Sequence, residues 1–197
     1  MKISIIIPVF NERNTIIKTI QKVNNTNING IKKEILIVDD FSNDGTREML
    51  KKIHYKNIKI IFHKKNYGKG SAIKTAIPKA SGDIIIIQDA DNEYNPNDYY
   101  KLIEPILKNE FSVVYGSRFI IKNNKNKLTS FYIGNKFLSK ITSVLYNVKI
   151  TDIETCYKVF KKNIIKQIKL DCVRFEFEPE ITAKLLRKKI KILEIPI

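Results

Sequence analysis

The chain has 197 residues, 43% hydrophobic and 28% charged, a balance that fits one globular domain and excludes disordered and collagen-like chains. Lysine and arginine outnumber aspartate and glutamate 36 to 20, and the net charge of +16 points to an anionic partner: nucleotide, nucleic acid, phospholipid headgroup or phosphorylated substrate. The lysines form no block of five or six, so a basic tail is excluded, and much of the excess also reads as plain solvated surface.

In chain order, ISIIIPV reads as a first strand, and Ile16, Ile17, Ile20 and Val23 fall at helical spacing after it. EILIVDD is a second, nearly continuous apolar strand ending in acids, and Ser42 is a candidate N-cap for a helix through Met49, Leu50 and Ile53. IKIIF (58–62) is the third strand, followed by a helix from about Lys69 to Ala80, loosened near Pro78. DIIIIQ is the fourth strand; Asn95 and Pro96 then cap and open another helix. Strands and helices that alternate, with apolar runs rather than apolar–polar alternation, mean a parallel sheet covered on both faces. The second half departs from the pattern. SVVYGSRF is a strand and turn, 128–148 a helical stretch, CYKVF a short strand, FEPEITAKLLRKK a helix and IKILEIPI a last strand. The expectation is a single α/β domain with a mostly parallel sheet, its nucleotide-binding half at about 1–118 and its acceptor half at about 119–197.

Ligands of open α/β sheets bind beyond the carboxyl ends of the strands. Those ends carry PVFNE, VDDFSNDGT, NYGKGSA and QDADNE, and all four open onto one crevice. In the last, Asp89 and Asp91 face one side of an extended segment. Two like charges ~4 Å apart cost roughly 4 kcal/mol at an effective dielectric near 20, a cost that a divalent cation removes. Oxygen ligands suit Mg²⁺ or Mn²⁺. Alone, D-x-D is also the pattern of a solvated turn; four isoleucines before it and a nucleotide-like first half favour a site. Lys69, between two glycines at a helix start, has the chemistry for a phosphate, although it is not a P-loop and an ordinary glycine turn looks the same. Cys156 and Cys172 form no C-x-x-C, and His54 and His63 lie far from both, so zinc spacing is lacking. Free thiols and no signal-peptide pattern lead to the expectation of a cytoplasmic protein, and no apolar run approaches the ~20 residues of a spanning helix.

Taken in order, IIIPVFNE, IVDDFSNDGT, NYGKGSAIKTA, SGDIIIIQDADNEYNP, VVYGSRF and TDIETCYKVF resemble the signature of family 2 glycosyltransferases of GT-A fold, in the subset of dolichyl-phosphate mannose synthase and polyprenyl-phosphate glucosyltransferases. The resemblance implies an inverting, metal-dependent transferase that uses a UDP- or GDP-linked sugar and a polyprenyl or dolichyl phosphate acceptor. It implies that Pro8, Phe10 and Glu12 line the nucleoside pocket, that Asp40 hydrogen-bonds the base, and that Lys69 and Gly70 lie beside the nucleotide. Asp89, Ala90 and Asp91 form the D-x-D segment, with Asp89, Asp91 and Glu93 on the metal side; Glu93 stands where many relatives have Gln. Arg118 neutralises phosphate. Asp152 occupies the position of a general base in relatives with hydroxyl acceptors, and Lys158 that of the basic residue in a G-F-K motif whose Gly-Phe is here Cys156-Tyr157.

Leu128, Phe131, Leu138, Ile141 and Leu145 fall close to helical spacing, with Lys122, Lys125, Lys127, Lys136 and Lys140 around them. A basic amphipathic helix suits peripheral contact with an anionic membrane, while an ordinary core-facing helix with a lysine-rich outer face reads the same way. Three other functions are weighed. One is transfer to a hydroxyl in a surface polysaccharide or glycolipid. Another is a receiver-like signalling domain, in which IVDD would have to belong to the first strand. The last is nucleic-acid binding, which wants aromatics interleaved with basic surface and is not expected.

Overall fold

The computed structural model describes residues 1–120, 130–174 and 176–197. Seven strands form one sheet: β1 (Lys2–Val9), β2 (Lys32–Asp39), β3 (Ile58–Phe62), β4 (Ile84–Ile87), β5 (Val113–Ser117), β6 (Lys158–Lys161) and β7 (Ile192–Pro196). Among them run α1 (Ile16–Asn25), α2 (Thr46–Leu50), α3 (Lys69–Ala76), α4 (Tyr99–Leu107), α5 (Ser130–Tyr146), α6 (Lys162–Lys166) and α7 (Phe177–Arg187). The sheet order is β3-β2-β1-β4-β6-β5-β7. β3, β2, β1 and β4 are parallel, as are β5 and β7; β6 runs antiparallel to both of its neighbours.

Isoleucine dominates β1 and β4 because both strands are covered on both faces. All four residues of β4 are buried, in register with Ile3–Ile6 of β1. Stiff β-branched side chains suit such a surface. The chain reverses direction across the sheet between β1 and β4. That switch point opens a crevice beyond their carboxyl ends. The opposite end is closed by Glu34, whose carboxylate accepts from Lys2 Nζ (2.6 Å), Ser4 Oγ (2.5 Å) and Ser81 N (2.7 Å), tying β1, β2 and the approach to β4 together. Gly82 is required there, since a Cβ would lie 2.5 Å from Ser4 N.

Some local expectations change. Ser42 does not cap α2. Its hydroxyl accepts from Asn11 N, and Asp44 accepts from Thr46 N at the helix start. α2 ends at Leu50 rather than running through Ile53, and α3 gives way at Ala76 to a 3₁₀ turn, Ile77–Lys79, in which Pro78 needs no N–H partner. Asn95 does cap: its side chain accepts from Asn97 N at the turn that Pro96 opens. Lys122, Lys125, Lys127 and Leu128 lie outside the described residues.

Candidate active site

The crevice encloses about 400 Å³ and is walled by the ends of β1, β2 and β4, the start of α3 and Arg174. Pro8, Phe10, Glu12, Asp40, Lys69, Asp89, Ala90 and Asp91 all line it. Adjacent residues at a strand end point to opposite faces. Asp40 therefore enters the crevice, while Asp39 turns away toward Arg47, with Oδ2 at 3.6 Å from Nε.

Asp40 is held as an acceptor. Its Oδ1 takes His63 Nδ1 (2.7 Å) and Tyr67 N (2.9 Å), and its Oδ2 takes Gly68 N (2.6 Å). His63 is fixed in turn by Thr75 Oγ1 at 2.9 Å. Gly68, at φ +93°, lines the crevice; a Cβ there would come within 2.4 Å of Val173 O. Gly70 sits behind the wall, its N–H donating to Arg174 O. Outside His63, a more open hollow of about 500 Å³ between β3 and α3 carries no carboxylate cluster.

The D-x-D segment is pinned from both sides. Buried Gln88 accepts from Tyr99 and Tyr157 hydroxyls (2.6 and 2.9 Å) and donates to Asp89 O. Thr19 donates to Ala90 O at 2.8 Å. Asp91 Oδ1 accepts from Glu93 N, and burial, aided by the Asp89 charge, raises the Asp91 carboxyl. Burial likewise raises Glu12, with Asp91 and Asp89 adding to it. Lys69 places its ammonium 2.9 Å from Asp89 and 2.6 Å from Glu178; burial opposes its charge, but Asp89 and Glu178 prevail and hold its pKa well above the ordinary lysine value.

No group of three or more His, Cys, Asp or Glu gathers at metal-binding distance among the described residues. The Glu93 side chain is 64% exposed with Arg118 at 3.9 Å, and burial, aided by the Asp91 charge, raises its carboxyl. Two carboxylates with oxygen donors only still fit a hard cation of the Mg²⁺ type, which commonly takes one or two carboxylates and completes its shell from substrate phosphates and water.

Beside the crevice, Arg118 follows β5 and grips Asp152 in a two-pronged pair, Nε–Oδ2 2.8 Å and Nη2–Oδ1 2.9 Å. Asp152 is fully buried and also accepts from Arg118 N and from Asn135 Nδ2 of α5. Lys158 does not reach the crevice. It is 0% exposed, donates to the Ile153 and Thr155 carbonyls, and burial lowers its pKa to about 8. Sequence reasoning passed over His63, Glu178 and Asn135. His63 had a signal, its place at the end of β3. Glu178 looks like any acid in a first helical turn, and Asn135 like any polar residue on an outer face.

Residues 4–169 match the model for Glycosyl transferase family 2, and the chain belongs to that family. The dolichol-phosphate mannosyltransferase of Pyrococcus furiosus is 33% identical over 203 residues, covering 100% of this chain and 56% of its own length. The UDP-N-acetylglucosamine–dolichyl-phosphate N-acetylglucosaminyltransferase of Methanococcus voltae is 32% identical over 217 residues, 99% of this chain and 84% of its own. Among solved structures, glucosyl-3-phosphoglycerate synthase from Mycobacterium tuberculosis, in complex with Mn²⁺, UDP and phosphoglyceric acid, superposes with a TM-score of 0.77 at 16% identity, over 99% of this chain and 68% of that one. The fold is GT-A: a mixed, mostly parallel sheet with flanking helices.

Proposed function

We propose that this chain transfers a sugar, with inversion, from a UDP- or GDP-linked donor to a polyprenyl or dolichyl phosphate. The observation that carries the reading is a crevice walled by acceptor and acidic groups at the ends of β1, β2 and β4, with Arg118, held by Asp152, 3.9 Å from Glu93 just past the D-x-D segment. The names of the two similar proteins support the lipid-phosphate acceptor. Asp40 accepts an N–H of the base, and Phe10, 46% exposed at the mouth, offers the base a face. Asp89 and Asp91 would hold a Mg²⁺ or Mn²⁺, which would supply charge neutralisation to the leaving diphosphate. Lys69 adds a cation on the same side. Arg118, oriented by Asp152, holds the acceptor phosphate opposite the leaving group, and that phosphate, already an anion, needs no general base. A hydroxyl acceptor would need one, and Asp152 is engaged by four donor groups.

The acceptor brings the chain to a membrane surface, and α5 fits one. Its exposed residues include Phe131, Ile133, Phe137, Val144 and Leu145, at 89, 60, 63, 74 and 72%, with Lys136 and Lys140 beside them and no acidic residue on the helix. The buried positions are polar, Asn135 and Ser139. The contact proposed for α5 is peripheral, at the cytoplasmic face; no helix among the described residues is long and apolar enough to cross a membrane. A screen of nucleotide sugars with Mn²⁺ and a short-chain polyprenyl phosphate tests the reading. Sugar-linked lipid phosphate is expected with one donor, and Asp91→Ala is expected to lose it; activity of that variant equal to the parent's would remove the metal assignment.

A further inference from the structure

Lys69 joins two carboxylates that have different tasks. Asp89 belongs to the metal pair proposed above, whereas Glu178, in the first turn of α7, has no part in that scheme. The ammonium is 2.9 Å from Asp89 Oδ1 and 2.6 Å from Glu178 Oε1, and the Lys69 and Glu178 side chains are only 18% and 4% exposed. A divalent cation at Asp89 therefore competes with a positive charge already seated on the same carboxylate, in a place where water screens little. A diphosphate changes that balance. Its oxygens would accept hydrogen bonds from the ammonium and lend lone pairs to the metal, so the two cations would no longer compete for one carboxylate, while Glu178 would keep its pairing with the ammonium.

We propose that Lys69, positioned by Glu178, is the resident counter-cation of Asp89 and makes tight metal binding conditional on the nucleoside diphosphate. The inference rests on the metal and diphosphate reading. It predicts an order: Mn²⁺ alone binds weakly, and Mn²⁺ with UDP or GDP binds tightly, by more than the diphosphate's own coordination supplies. Metal and nucleotide are then coupled through this lysine, and the coupling is reciprocal.

The test is Mn²⁺ binding without donor or acceptor, read from the free-ion electron paramagnetic resonance signal, on the parent, Lys69→Met, Lys69→Arg and Glu178→Gln. Circular dichroism checks the fold of each, and Lys69→Gln carries the same expectation should Lys69→Met not fold. Removing the charge is expected to tighten Mn²⁺ binding about tenfold or more, with Lys69→Arg staying near the parent. Glu178→Gln leaves the ammonium resting on Asp89 alone and is expected to weaken Mn²⁺ binding a few-fold. Adding UDP or GDP should strengthen Mn²⁺ binding less in Lys69→Met than in the parent. Equal affinity of the parent and the neutral variants for Mn²⁺ alone overturns the inference and leaves the transferase reading standing. Unchanged or tighter binding in Glu178→Gln overturns the positioning role of Glu178. If no form binds Mn²⁺, with or without nucleotide, the metal reading falls and the inference with it.

Discussion

Asp152 shows how burial decides between roles that a sequence leaves open. A carboxylate that is 0% exposed and accepts from Arg118 N, Nε and Nη2 and from Asn135 Nδ2 has its lone pairs in use. Such a group orients a guanidinium better than it collects a proton. Asp152→Asn keeps the shape but turns an N–H₂ group toward Arg118 or Asn135. We expect transfer to fall by about 100-fold or more through misplacement of Arg118, with nucleotide affinity unchanged and the shape of the pH–rate profile preserved. Loss of a titrating acid limb in that profile would instead make Asp152 the base. The family resemblance picked out the acid but not its neighbours, because Asn135 and Asp152 are brought together only by the packing of α5. Lys158 carries the same lesson. Its basic character was legible, while the fold directs it inward onto the Ile153 and Thr155 carbonyls.

Elements differ in how far their patterns reveal their partners. Continuous isoleucine runs announce β1 and β4, and Glu34, at the head of the apolar run of β2, reads as a strand acid of no consequence. Burial alone would raise its carboxyl, yet hydrogen bonds from Lys2, Ser4 and Ser81 outweigh that and hold the pKa down to about 2. Because the folded value lies below that of the unfolded chain, the stabilisation is complete above about pH 5 and is lost as the pH falls toward 2. Glu34→Gln should therefore cost roughly 2–3 kcal/mol at pH 7, and the gap to the parent should close near pH 2; urea titrations across that range measure it. α5 is the opposite case, since its apolar spacing was visible but its direction was not. The helix turns Asn135 and Ser139 inward because Asp152 and the Ile153 N–H need polar partners, so the apolar side is left outside. Phe137→Glu together with Val144→Glu should abolish co-sedimentation with anionic vesicles and change stability by no more than about 0.5 kcal/mol. Retained binding would move the membrane contact away from α5.

On the scale of the whole molecule, the first four strands were legible because each is an apolar run punctuated by a polar carboxyl end, and the crevice follows from their order. β6 was legible as the short strand CYKVF, but its antiparallel pairing was not, since its neighbours in the sheet, β4 and β5, come from distant parts of the chain. The crevice draws on elements from Pro8 to Arg174, so a ligand that fills it links them and must raise the melting temperature of the whole domain. With nucleoside diphosphate at a hundredfold excess over Kd the gain is about 2.7 kcal/mol. A domain of 150–250 residues shifts by about 2–4 °C per kcal/mol, so a rise of roughly 5–11 °C is expected with Mn²⁺ present. On the proposed reading, in which a cation at Asp89 and Asp91 links the diphosphate to the protein, chelation should return the melt to its starting point. The preferred base is read from the same experiment: Asp40 offers an acceptor to a base N–H, so whichever of UDP and GDP gives the larger shift identifies the donor class. An equal shift in Asp91→Ala would place the nucleotide elsewhere than at the end of β4.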